Sequence, residues 1–187
     1  MQAFLREKLV DSLVRCGKLV DAFQAKEVSF LPDTLSWLKD LEGTLSRLRH
    51  SLAGAIASER KRVVASGEKA NRPKGVSKSK YQVQEAAVAL GIAEERLREV
   101  VVQIDSKFDG WREQIAQLAA IASQFEPIEI SNPNLPESEL RKIWQQMGKR
   151  EEGRSMHQYL SASMPRSDLM YLLRDVVANL LANRTQS

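Results

Sequence analysis

The chain has 187 residues, enough for one sizeable core, and 43% of them are hydrophobic and 28% charged, as in ordinary folded proteins. No run approaches the ~18 apolar residues of a membrane span, and the charged amino terminus lacks the apolar core of a signal peptide. The single cysteine, Cys16, excludes an internal disulfide and a cysteine-rich zinc site, so we expect a cytoplasmic protein without a cofactor or metal.

The net charge of +4 is unevenly distributed along the chain. Residues 1–80 contain 16 Lys and Arg against 9 Asp and Glu, whereas residues 81–187 contain 12 against 15. A basic half is suited to a phosphate backbone or to an acidic protein surface. Equally, the two halves can pack on each other, so charge alone leaves the partner open.

Amphipathic spacing predicts two helices in the basic half. Residues 2–25 carry apolar side chains at helical intervals from Leu5 to Phe23. After a break at Pro32, leucines from Leu38 to Leu52 step by three and four, which predicts one helix over 34–66 with Gly67 at its C-cap. Residues 67–80 then contain five Lys and Arg and little apolar surface, which predicts an exposed basic linker.

The segment 81–125 has the longest helical pattern of the chain. A seam of alternating four- and three-residue steps runs from Val83 to Phe125, interrupted only by Glu94. A second register through Ala86, Leu90, Ala93 and Leu97 avoids Glu94 but requires one stutter further on. Val88 and Val102 lie off both seams and indicate burial on more than one side. This interpretation predicts a continuous core helix of roughly 65–70 Å unless it breaks.

The same segment permits a second interpretation, in which Gly91 makes a turn. "YQVQEAAVALGIAEERLRE" resembles the helix-turn-helix of excisionase-like and mercury-resistance-regulator-like proteins over about 20 residues. The resemblance implies a helix crossing at Ala86-Ala87, a core plug at Ile92, and a recognition helix that presents Arg96 and Arg98 to DNA. Ala93 replaces the usual Ser or Thr cap, and two glutamates open the recognition helix. We expect a helix at Gly91 and keep the DNA-binding regulator, with a motif at 83–103, as the alternative.

The remainder predicts short helices after a proline-rich connector at 126–136. One helix covers 136–147, a second follows a cap at Ser155, and a third follows Pro165, while Gly148 and Gly153 interrupt the pattern. Arg150 and His157 match the loose Arg-x(4–6)-His pattern of helical HEPN-type ribonucleases, in which the two residues converge to cleave RNA. The simpler interpretation is a loop with a surface histidine, or one whose histidine packs near Trp144.

These observations predict an all-α protein, with a helical bundle or antiparallel hairpin over 1–125 and short helices packed on it over 126–187. The expected role is a non-enzymatic interaction or assembly subunit that binds a protein partner, or itself, through helical faces. Nucleic acid is a further candidate partner, a membrane is not, and a HEPN-like ribonuclease is a distant third function. The candidate contact residues for nucleic acid or a partner are Arg60, Lys61, Arg62, Lys69, Arg72, Lys74, Lys78, Lys80, Arg96 and Arg98.

Overall fold

The computed structural model describes residues 2–71, 73–125, 127–130 and 134–184, and within these ranges the chain is helical without a strand. The α-helices are α1 (Gln2–Gln24), α2 (Phe30–Arg47), α3 (Leu52–Ala65), α4 (Lys78–Phe125), α5 (Glu137–Met147), α6 (Glu151–Ser163) and α7 (Arg166–Arg184), with a 3-10 turn at Lys69–Asn71. The predicted all-α class is therefore confirmed. In the described ranges, none of the helices has both the length and the apolar character needed to cross a bilayer.

The chain forms two compact units whose boundary lies inside α4. The N-terminal unit is Leu5–Val102, and the C-terminal unit is Met1–Phe4 together with Gln103–Ser187. The sequence pattern suggested the segments 1–125 and 126–187 instead. The boundary lies elsewhere because α4 contributes buried side chains to the cores of both units.

Four helical segments enclose the core of the N-terminal unit. The Trp37 indole of α2 is buried and donates its N–H to the Ser12 carbonyl oxygen of α1 at 3.1 Å. Ion pairs join α3 to α2 through Arg60 and Glu42, and α3 to α4 through Arg62 and Glu85. Trp37 therefore lies at the contact between α1 and α2.

The single helix predicted over 34–66 is wrong, because the structure has a sharp turn at residues 48–51. Arg49 adopts a left-handed conformation with φ of 53°. The His50 N–H binds the Leu45 carbonyl oxygen and the Arg49 N–H binds the Ser46 carbonyl oxygen, which is the Schellman pattern at a helix end. Glycine usually occupies the left-handed position, and Arg49 carries no such signal. The next helix begins where the Leu52 N–H donates to His50 Nδ1.

Helix α4 is continuous through Leu90–Glu94, as the sequence analysis expected. Its buried face in the N-terminal unit follows the second register, since Ala86, Leu90, Ala93 and Leu97 are almost completely buried. The prediction that this helix is buried on more than one side is wrong, because Val88 is 51% and Val102 65% exposed.

The C-terminal unit packs α5, α6 and α7 with residues 103–125 of α4. The expected interruption at Gly153 is wrong: α6 begins at Glu151 and runs through it. Gly153 is buried, and a Cβ there would lie 2.6 Å from Leu118 Cδ1, so a missing side chain permits close packing on α4. The buried Asp168 carboxylate of α7 accepts the backbone N–H groups of Gln2 and Ala3 at 2.9 and 3.1 Å.

Candidate functional site

Two of the predicted contact arginines, Arg60 and Arg62, are paired with carboxylates of α2, α3 and α4. Arg60 Nε lies 2.8 Å from Glu42 Oε2, and Arg62 lies between Glu59 and Glu85 at 2.9 and 3.1 Å. Neutralised in this way, these arginines add little positive potential to the surface and instead join neighbouring helices.

The remaining candidates fall into a described and an undescribed group. The Lys61, Lys74, Lys78 and Lys80 side chains are exposed, and three of these four lie at or just before the start of α4. Arg96 is half-buried. Arg72 and the side chain of Lys69 lie outside the described residues. Within the described residues, the part of the predicted basic linker that is seen to be exposed is a short run of lysines.

The helix-turn-helix geometry is not formed at residues 83–103, because α4 has no turn at Gly91. Glu94, which interrupts the predicted seam, packs instead against Cys16 of α1 and accepts hydrogen bonds from Arg98 at 2.9 and 2.7 Å. Burial, together with the charge and hydrogen bond of Glu94, raises the pKa of the Cys16 thiol to about 12. Arg98 therefore binds a carboxylate of its own helix, and Glu94 has a structural partner in the core.

Arg150 and His157 lie against different aromatic rings. The Arg150 guanidinium is 5.7 Å above the Phe125 ring, and this arginine lines a cavity of about 190 Å³ with Ala122, Gln146 and Lys149. The His157 ring does not line that cavity but stacks on Trp144, with ring centroids 4.4 Å apart.

The environment of His157 favours its neutral form. Its Nε2 lies 3.1 Å from the Trp144 carbonyl oxygen, which only accepts, so Nε2 carries the proton in this hydrogen bond. Burial lowers the pKa of His157 below its ordinary value of 6.5, partly offset by this backbone hydrogen bond. His157 packs near Trp144, as one form of the simpler interpretation expected, but it lies inside α6 and not in a loop. Of the two residues of the ribonuclease pattern, Arg150 lines the cavity described above and His157 does not.

The exposed side of α4 carries a second candidate surface, which we call the α4 stripe: Val88, Gly91, Glu95, Glu99 and Val102. Val88 and Val102 are fourteen positions apart, close to four helical turns, so they lie on the same side of the helix. A Cβ added at Gly91 would meet no atom within 4 Å, which leaves a shallow notch between the first valine and the glutamates.

Sequence reasoning missed a cluster of arginines in the C-terminal unit. Arg141 of α5 and Arg166 and Arg174 of α7 line two adjoining cavities. The eight-residue spacing of Arg166 and Arg174 places both on one face of a helix, which is a signal that the sequence does contain. That α5 brings Arg141 to this face depends on tertiary packing.

Comparison of the chain with protein-family models, with curated proteins and with solved structures gives no match. Function therefore has to be argued from the surfaces of an all-α protein with seven helices in its described residues.

Proposed function

We propose that this protein is a non-enzymatic interaction subunit that binds a helix of a partner protein along the α4 stripe. The observation that carries the proposal is the exposure of Val88 and Val102, 51% and 65%, on one side of an uninterrupted helix. Single exposed apolar side chains are ordinary on protein surfaces. Two valines aligned at helical spacing, with a glycine notch between them, are suited to a second helix packing against the first.

Charge supports a different protein, rather than a second copy of this chain, as the occupant. Glu95 and Glu99 lie between the two valines, and no described residue forms an ion pair with either. If two copies of α4 paired in parallel, Glu95 would face Glu95; the antiparallel pairing that brings Val88 to Val102 produces the same repulsion. A partner helix with Lys or Arg at the facing positions satisfies both carboxylates, as charged flanking positions do in coiled coils.

A photo-crosslinking amino acid at Val88 tests this proposal in cells that express the protein natively. We expect an adduct of one discrete mass whose second component, identified by mass spectrometry, carries a basic helical segment. The matched control is the crosslinker at Lys39, an exposed position on α2. The Val102→Asp substitution adds charge at an exposed position and should remove the adduct without unfolding the chain.

Equal adduct yields at Val88 and Lys39, or an adduct unaffected by Val102→Asp, would contradict the proposed docking surface. An adduct between two copies of the chain would retain an assembly role but contradict the heterologous partner.

The exposed lysines support association of this subunit with nucleic acid as a second, separate property. Lys74, Lys78 and Lys80 lie within seven consecutive residues, and each can displace a counterion from a phosphate backbone. We expect weak binding to random duplex DNA that falls as salt is raised and is reduced by the triple change of these lysines to Glu. Arg96→Glu and Arg98→Glu should leave it unchanged. Loss of binding in those two arginine variants, or no binding at low salt, would contradict this assignment.

A further inference from the structure

Two adjoining cavities in the C-terminal unit form one groove beside α5 and α7. The first, of about 240 Å³, is lined by Trp144, Met164 and Leu169, and the second, of about 340 Å³, by Glu137 and Tyr171. Both cavities are also lined by Arg166 and Met170, so they lie side by side. We call this the arginine groove, because Arg141, Arg166 and Arg174 are the cations along it.

The charges of the arginine groove do not cancel. Among the described residues that line it, Glu137 is the single carboxylate, and it accepts a hydrogen bond from Arg141 Nε at 3.1 Å. The pKa of Glu137 lies below its ordinary value of 4.5, first because of the hydrogen bond and charge of Arg141 and further because of Arg166 and Arg174. All three guanidinium groups therefore act at the same place, and two positive charges remain after Glu137 is counted.

Neighbouring acidic residues of α7 are engaged elsewhere. Asp168 is buried against the N–H groups of Gln2 and Ala3, and Asp175 lies 3.4 Å from Arg112. Arg174 donates to the Leu135 carbonyl oxygen at 3.4 Å, a contact that orients the guanidinium and leaves its charge in place. For Arg166, none of the described residues supplies a hydrogen bond or ion pair that would neutralise it. The groove thus presents excess positive charge, with Arg141 and Arg174 oriented by hydrogen bonds.

The lining between these cations is apolar and adaptable. Met164 and Met170 line the groove with flexible, polarisable side chains of the kind used at binding surfaces that accept varied apolar groups. The Trp144 indole is held in place by its N–H bond to Ser161 Oγ at 3.2 Å. Tyr171 is 43% exposed and is positioned by its contact with the Phe108 ring. The groove therefore places apolar surface directly beside cationic side chains.

We propose that the arginine groove binds an acidic peptide segment of a partner protein. One apolar side chain of the peptide enters between Met164 and Met170, and flanking carboxylates pair with Arg166 and Arg174. The two cavities, of about 240 and 340 Å³, lie near the ~300 Å³ lower end for small-molecule sites, which suits single side chains. Continuous nucleic-acid binding uses rows of exposed aromatic rings for stacking, whereas this groove offers Tyr171 alone. This assignment rests on the proposed interaction role and adds a second surface with the opposite charge preference.

The test uses the full chain with isotope-labelled methionine methyl groups and arginine side chains, observed by NMR. The probe is a pool of short synthetic peptides with Asp and Glu at every position except one central Leu, Ile, Met or Phe. The matched pool replaces Asp and Glu by Asn and Gln. We expect the acidic pool to shift the signals of Met164, Met170 and Arg166, and the amide pool to shift them at least ~10-fold less at equal concentration.

Variants locate the binding surface. The double change Arg166→Gln and Arg174→Gln should weaken binding of the acidic pool at least ~10-fold, because two charge-assisted contacts are lost. Arg154→Gln is the control, since it removes an exposed arginine of α6 that pairs with Glu151 and does not line the groove. Thermal unfolding of both variants checks that the fold is retained.

Three results would overturn the assignment: no shift of the groove signals with the acidic pool, equal shifts with both pools, or larger shifts with duplex DNA. Any of these can occur while Val88 still forms its specific adduct, so failure here is distinguishable from failure of the α4 stripe. Conversely, loss of the Val88 adduct leaves the peptide measurement unaffected.

Discussion

The two units of this chain use arginine in different ways. In the N-terminal unit, Arg60 and Arg62 bind carboxylates of neighbouring helices and connect α2, α3 and α4. In the C-terminal unit, three arginines surround the single carboxylate Glu137 and leave excess charge in a groove. This is the reverse of the charge distribution along the sequence, in which residues 1–80 have an excess of basic residues and 81–187 an excess of acidic residues. The balance of charge along a chain therefore does not indicate which surface can attract an anion.

The largest expected effect is the loss of stability on removing a buried carboxylate, compared with the loss on removing a partly exposed one. Asp168→Ala should lower the free energy of unfolding by about 2–3 kcal/mol, because it leaves two helix N–H groups without their charged acceptor. Glu42→Ala, which breaks the partly exposed pair with Arg60, should cost about 1 kcal/mol or less. Urea unfolding followed by circular dichroism measures both. Equal losses would show that the Asp168 contacts contribute no more than a surface ion pair.

A smaller effect is expected at Gly148 in the C-terminal unit. A Cβ there would lie 2.8 Å from atoms of the His157 ring, which is held against Trp144 and cannot move freely. Gly148→Ala should therefore destabilise the unit by about 1–3 kcal/mol, as overpacking does elsewhere. Denaturant unfolding read through tryptophan fluorescence measures it. A double variant with His157→Ala should recover most of the loss, and no recovery would mean that the ring is not the obstacle.

Gly91 in the N-terminal unit provides the opposite case. It is exposed in the middle of α4 with open space around its Cα, so Gly91→Ala should stabilise the chain by about 0.5–1 kcal/mol through helix propensity. Thermal unfolding monitored by circular dichroism checks the sign. Destabilisation would indicate a turn at this position and restore the helix-turn-helix interpretation.

The smallest effect concerns the charge of His157. Its pKa is lowered in the folded chain, so the unfolded chain binds the proton more readily. The stability that this histidine contributes is present above its unfolded pKa of 6.5 and is lost as the pH falls from there through the folded pKa. A titration of the His157 ring protons by NMR should show a midpoint below 6.5. A midpoint above 6.5 would mean that the Trp144 carbonyl outweighs burial.

Local patterns predicted several elements well. The leucine spacing of α1 and the long seam of α4 identified both helices, because an amphipathic helix repeats its apolar residues every three or four positions whatever it packs against. The end of α2 and the start of α6 were predicted wrongly, and in both cases glycine is not where a helix end usually has it. Arg49 ends α2 without the usual glycine, and Gly153, which looked like a break, lies inside α6 because α4 packs close to it.

The sequence by itself determined the all-α class and the presence of a basic stretch before α4, and it favoured a helix at Gly91 while leaving a turn there as the alternative. Only the tertiary structure decided which face of α4 is buried, which arginines are neutralised, and that Arg141, Arg166 and Arg174 line one groove. The physical reason is the distance along the chain over which each property is set. Helix formation and periodicity are set by neighbours within a few residues, whereas the meeting of charges depends on how turns and core packing rotate whole helices against each other.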